Sequence, residues 1–184
     1  MALTATIYTF EIELSDSDRG VYETLALRVA RHPSESEEYL LTRLLAYCLH
    51  YAEGIAFSAK GLSDPDEPAI AVRDLTGAIG VWIDIGAPDA ARVHRAAKAA
   101  PRVVVYTHRD PDTLLRQWSG ERIHRADELE LYSIDRALLT ALTARLTRRM
   151  RLALSVTGGH LYVSLGAETF DGPIARHPLN RLPD

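Results

Sequence analysis

The chain is poor in the residues that would commit it to a specialised class. It has one cysteine, Cys48, in 184 residues, which excludes an intrachain disulfide framework and any cysteine-only metal cage. Cys48 lies in an apolar helical pattern and reads as a buried thiol. No stretch reaches the roughly 18 consecutive apolar residues of a membrane span. The opening Met1-Ala2-Leu3-Thr4 lacks the basic and long apolar regions of a secretory signal. A cytoplasmic location and no membrane partner are the default expectations. Positive charge is not in excess: 21 Lys and Arg face 25 Asp and Glu, for a formal net charge of -4. That argues against a permanently coated nucleic-acid binder, although a local basic face remains compatible with it. Phosphate-loop, dinucleotide and nucleophile-elbow patterns are missing. The 7 histidines show no zinc-like pairing with cysteine.

With 47% hydrophobic and 25% charged residues, the composition fits one soluble globular domain over residues 1–184. Residues 4–14 alternate as a strand; residues 21–30 fit a helix or a strand, and the alternation of Leu25, Leu27 and Val29 with Ala26 and Arg28 favours a strand that forms a hairpin with the first across the turn cluster Ser15 to Gly20. Ser34-Glu35-Ser36-Glu37 resembles a capping box after Pro33, with Leu41, Leu44, Leu45 and Cys48 at helical spacing to about Glu53. Gly54 then reads as the C-terminal cap. A short strand at 55–58 and a hairpin of residues 69–74 and 79–85 follow. Pro88-Asp89 opens a second helix, about 89–99, which Pro101 stops. The apolar run 102–107 suits a strand covered on both faces and reached by a parallel crossover. Beyond it, 110–120 reads as a helix, 128–134 as a strand and 135–144 as a helix. Residues 149–157 and 160–166 form a second hairpin around Gly158-Gly159. The N- and C-terminal hairpins are expected to share one sheet, and the tail from Ala167 is expected to be loosely ordered.

Asp84 is the most informative residue. It sits in Val81-Trp82-Ile83-Asp84-Ile85, where an aspartate is depleted. A buried carboxylate is costly unless paired, hydrogen-bonded or metal-bound. The hairpin would bring Asp66, just ahead of its first strand, towards Asp84 at the end of its second. One reading is an acidic site. The other is a structural ion pair of Asp84 with Arg31, Arg43 or Arg92, with Asp66 as a solvated loop acid. Arg92, His94, Arg95, Lys98 and Arg102 form a basic cluster suited to phosphates or to the C-terminal end of a helix. Arg145, Arg148, Arg149 and Arg151 read as a solvated face. Trp82 reads as core, or, if exposed, as a platform for a base.

Several motifs together resemble one family. They are Arg31-His32-Pro33-Ser34-Glu35 entering a helix, Asp66-Glu67-Pro68, Trp82-Ile83-Asp84-Ile85-Gly86, Pro88-Asp89 followed by Arg92, and the opening Ala5-Thr6-Ile7-Tyr8. In this order and spacing they are similar to the YaeQ family, an uncharacterised bacterial family whose fold is a variation on the PD-(D/E)XK nuclease fold. The resemblance covers nearly the whole chain. It implies a mixed α/β class: a restriction-endonuclease-like core at about 33–107, with a mixed sheet flanked by helices and β-hairpins at both chain ends. The order helix, three-strand meander, helix, strand read above agrees with it.

The superfamily pattern implies a helical acid, an aspartate at the second core strand, and an acid and a lysine on the third. Here Glu38 fits the helical acid, with Glu35 as the alternative, and Asp66 and Asp84 fit the strand positions. Together Glu38, Asp66 and Asp84 would hold Mg²⁺, which prefers hard oxygen ligands and would generate a nucleophilic water for phosphodiester cleavage. The lysine position is Gly86. Lys98 or Arg95, or else Arg92, would supply the displaced cation. Two functions follow: a Mg²⁺-dependent nucleic-acid phosphodiesterase, or a catalytically inactive module that binds protein or nucleic acid.

Overall fold

A computed structural model describes residues 4–59 and 64–179. In chain order the elements are β1 (Thr6–Asp16), β2 (Val21–Arg31), α1 (Glu37–Leu49), β3 (Ile55–Phe57), β4 (Ile70–Arg73), β5 (Ile79–Ile85), α2 (Ala90–Ala99), β6 (Arg102–Thr107), α3 (Pro111–Trp118), β7 (Glu130–Ile134), α4 (Arg136–Thr143), β8 (Arg149–Thr157), β9 (His160–Leu165) and β10 (Glu168–Arg176). The fold is mixed α/β, with strands paired in both senses. No described helix is long and apolar enough to cross a membrane.

The chain sorts into two compact units, each discontinuous in sequence. The first takes its described residues from 4–49 and 134–175. Its strand order is β2-β1-β8-β9-β10. Strand β1 pairs antiparallel with β2 and parallel with β8, so the two terminal hairpins share a sheet, as the alternation suggested. Phe10, Ile12 and Leu14 of β1 are buried, while Glu11 and Glu13 between them are exposed. The same period-2 logic buries Leu152, Leu154 and Val156 on β8. Helices α1 and α4 pack together and add Leu40, Leu44, Leu138 and Leu142 to the buried set.

The second unit takes residues 50–133 and 176–179, less the undescribed 60–63. Its order is β3-β4-β5-β6-β7: an antiparallel meander through β5, then parallel pairing of β5 with β6 and β6 with β7. The crossover through α2 is the one read from the sequence. Trp82, Val93, Ala96, Val103, Val105, Leu114, Trp118 and Leu131 form its core.

Three local expectations need correction. Helix α1 starts at Glu37, and Ser36 caps it by accepting from the Tyr39 amide at 3.1 Å. Ser34 instead bonds the His32 ring at 2.7 Å, inside a turn closed by Glu35 N–H donating to the His32 carbonyl. Gly54 does not cap the helix, which ends at Leu49. It turns the chain into β3 at φ +83, where an added Cβ would lie 2.0 Å from the Arg73 carbonyl oxygen. The segment from Ala167 is not loose: β10 pairs along β9 from Glu168↔Leu165 to Pro173↔His160. A two-residue connection begun by Gly166 at φ +59 makes this possible, because glycine adopts positive φ without cost from a side chain.

Gly54 gives a direct test of this packing. Gly54→Ala is expected to cost about 2–4 kcal/mol in urea denaturation, combining a left-handed backbone with a backbone clash. Gly77→Ala, also at positive φ but with nothing within 4 Å, is expected to cost about 1 kcal/mol.

Candidate functional site

Strand β5 alternates, so Trp82 and Asp84 point to one face and Ile83 and Ile85 to the other. Trp82 belongs to the core that includes Val93 and Ala96 of α2. Asp84 therefore lies beneath the start of that helix and is 2% exposed. Two features aim α2 at it. Gly86, at φ +89, turns the chain out of β5 while its amide donates to the Tyr106 carbonyl at 2.8 Å. Asp89 then caps the helix by accepting from the Arg92 amide at 2.7 Å.

The side chain of Arg92, in the first turn of α2, meets Asp84 as a fork. Its Nε donates to Asp84 Oδ2 at 2.8 Å and its Nη2 to Oδ1 at 2.8 Å. Such two-point pairing is the strongest that a guanidinium and a carboxylate make. The same guanidinium donates from Nη1 to the Asp64 carbonyl at 3.2 Å and from Nη2 to the Glu67 carbonyl at 2.8 Å. It also lies 5.8 Å from the Trp82 ring centre. One side chain thus joins a strand, a helix and the loop 64–67.

The other predicted site residues fall elsewhere. Asp66 sits at the exposed tip of that loop, its amide donating to Asp64 Oδ1 at 2.9 Å. The hairpin does bring the Asp66 loop to Asp84, but through backbone carbonyls and Arg92. Glu38 is exposed in the first turn of α1, in the other unit. Its alternative, Glu35, is buried in that unit and accepts from Arg43 Nη2 at 3.2 Å, while Arg31 Nε donates to the Glu35 carbonyl at 3.0 Å. Burial pushes the Glu35 carboxyl above its usual range, against the pull of Arg43. Arg95 and Lys98 are exposed further along α2. The cation at Asp84 is Arg92, because the first turn of the helix, not its later turns, overlies the end of β5.

The expected trio of metal ligands is corrected accordingly. Both Asp84 oxygens already accept from Arg92, and among the described residues no three His, Cys, Asp or Glu side chains are grouped to hold a metal ion. These residues do not fit a bound Mg²⁺. At Gly86, where the resemblance led to the expectation of a displaced lysine, the backbone has φ +89, at which a residue with a side chain would be strained.

A second polar group escaped sequence reasoning. On the opposite face, Tyr106 of β6 stacks on Tyr132 of β7 at 5.2 Å, and the His50 ring bonds the Tyr106 hydroxyl at 2.9 Å. Tyr132 donates to Glu130 at 2.9 Å, and Arg102 forks onto Glu130 at 2.6 and 3.0 Å. The Arg102 guanidinium holds the Glu130 carboxyl below its usual range, while burial and Glu130 push the Tyr132 phenol up. The parity of Arg102, Val104 and Tyr106 against Glu130 and Tyr132 was the available signal, but the parallel register that aligns them is not written locally.

The model of the family described as YaeQ protein matches residues 1–172. The chain belongs to the YaeQ family. It is 31% identical over 165 residues to the "Uncharacterized protein YaeQ" of Escherichia coli (strain K12), covering 89% of this chain and 91% of that protein. The Salmonella typhi protein of the same description is 32% identical over 166 residues, with the same coverage. The crystal structure of the YaeQ protein from Xanthomonas axonopodis pv. citri superposes with a TM-score of 0.85 at 32% identity, covering 95% of this chain and 99% of that one. The Pseudomonas syringae YaeQ structure gives 0.84 at 29% identity, covering 94% and 95%. The YaeQ fold thus extends over both units of the chain.

Arg92→Ala should lower the unfolding free energy by about 3–5 kcal/mol in urea titration, since it leaves Asp84 buried without its cation. Arg92→Lys should recover only part of that, because an ammonium cannot fork. The Glu130 pair predicts a pH dependence. Its folded pKa is depressed, so its contribution is present above the ordinary glutamate value of 4.5 and lost as pH falls through the folded value. Arg102→Ala should flatten this acid limb of the stability curve.

Proposed function

We propose that this chain is a non-hydrolytic interaction module built on a variation of the PD-(D/E)XK nuclease fold. Support for the fold variation is the order α1, the meander β3-β4-β5, α2, β6. The observation that carries the functional reading is the fork of Arg92 on Asp84. A guanidinium occupies the carboxylate that a hydrolase would turn to a metal, and Gly86 stands where the lysine would orient water. The site is then a structural clasp, and the chain acts through its surface. The formal net charge of -4 favours a protein partner over nucleic acid.

The second reading, a Mg²⁺-dependent phosphodiesterase, draws on the approach of the Asp66 loop to Asp84. It requires Arg92 to leave the carboxylate before a metal enters. Calorimetry with Mg²⁺ and Mn²⁺, paired with incubation on labelled single- and double-stranded DNA and RNA, separates the two. The interaction module gives no saturable heat and no cleavage. Saturable metal binding and cleavage, both lost in Asp84→Ala, would overturn it.

A further inference from the structure

The first unit leaves one long strand edge open. Strand β2 pairs with β1 over eleven consecutive residues without a bulge, from Thr6↔Arg31 to Asp16↔Val21. It is a terminal strand, and no described strand pairs with its outer side. In the second unit the terminal strand β3 has only 3 residues. Short edges are one standard protection against unwanted pairing, as are proline, charged side chains (lysine above all), bulges and covering segments; among its outward-facing residues Tyr22, Thr24, Ala26 and Arg28, β2 carries one charge, Arg28. Strand β2 contains no proline and no lysine, and its register is continuous.

The direction of its free groups follows from the ladder. Thr9 N–H donates to the Arg148 carbonyl, so the odd residues of β1 face β8 and the even ones face β2. The register then turns the odd residues of β2 towards β1 and the even ones outward. A second contact agrees: the outward carbonyl of Ala30 accepts from Arg43 Nη2 at 2.6 Å. That guanidinium caps the far end of the edge. Tyr22, Thr24, Ala26 and Arg28 remain, all exposed, with Tyr22 at 64%.

We propose that this edge is a dimerisation surface whose occupant is the β2 strand of a second copy, added antiparallel about a two-fold axis through Leu25. This goes beyond the reading of the Asp84 site and does not depend on it. In that register Tyr22 faces the partner's Arg28, and Thr24 faces the partner's Ala26. Each such pair exchanges backbone bonds through groups that have no partner among the described residues. The register uses these four residues and stops before Ala30, which Arg43 has already capped. The side-chain pairing selects the sense: Tyr22 and Arg28 share one face of β2, so antiparallel addition sets each exposed ring opposite a guanidinium, whereas in-register parallel addition sets Arg28 against Arg28. The exposed Tyr22 ring meets a guanidinium rather than water. A two-fold axis makes every contact twice and closes the assembly, which a heterologous strand addition would leave open.

Sedimentation velocity of the full chain from low to high micromolar concentration tests this. The wild type should sediment as a reversible dimer. Ala26→Pro removes an outward amide and no bond to β1, so the thermal transition by circular dichroism should hold while dimer affinity falls at least about tenfold. Ala26→Lys should act likewise through edge charge, and serves if the proline variant does not fold. Tyr22→Ala should weaken the dimer by a smaller factor. A wild type that stays monomeric at the highest concentration would overturn the proposal. So would a dimer that persists unweakened in a folded Ala26 variant, or a monomer that pairs only with an added extended peptide.

Discussion

A carboxylate under a helix needs a cation, and this requirement organises the second unit. Asp84 cannot hydrate itself in its buried position, and desolvation alone would cost several kcal/mol. Arg92 meets it with both oxygens engaged. The geometry that permits this is set by neighbours: the positive φ of Gly86 and the Asp89 cap place the first turn of α2 over the end of β5. The remaining donors of the guanidinium then collect the Asp64 and Glu67 carbonyls, so the loop ahead of β4 is fixed by the same ion. Removing either partner strands the other, whereas an apolar pair of like volume is often neutral. The clasp therefore specifies one arrangement of strand, helix and loop more than it adds net stability.

The first unit is closed by smaller devices of the same kind. Asp18, in the turn of the N-terminal hairpin, accepts from the Gly158 and Gly159 amides at 2.7 and 2.8 Å, which hold its carboxyl below the usual range. Ser17 bonds the Val156 carbonyl at 2.8 Å. These contacts tie the first turn of the chain to the last two-glycine turn, where β1 and β8 run parallel. They join residues about 140 positions apart, yet they act through short side chains on backbone amides and a carbonyl. Closure at this end therefore leaves the outward backbone of β2 from Tyr22 to Arg28 untouched, and Arg43 occupies only the Ala30 carbonyl beyond it.

Much of the architecture was legible because period and punctuation are local. Alternation marked both hairpins, Asp89 and Asp135 marked two helix starts by capping, and Pro101 marked a stop. The need of Asp84 for a partner was equally legible, and Arg92 stood among three candidates. What decided among them was not local: the angle at which α2 leaves Gly86 excludes nothing until the fold is built. Glu35 and Glu38 show the same limit. Both are acids near a helix start, yet the turn at His32 to Glu35 buries one and exposes the other. The β10 ladder was hidden by Gly172 and Pro173, residues that read as loop but sit within a regular strand. The Arg102–Glu130–Tyr132 group depends on parallel register, which no short stretch encodes.

The clasp at Asp84 is most directly tested by a double-mutant cycle in urea denaturation with Asp84→Ala, Arg92→Ala and the two combined. If the pair is the constraint that sets the second unit, the single losses are strongly coupled: the double variant loses less than their sum by at least about 2 kcal/mol, and is no less stable than Arg92→Ala alone. Losses that simply add would mean that Asp84 and Arg92 serve separate partners, and would contradict a shared structural role.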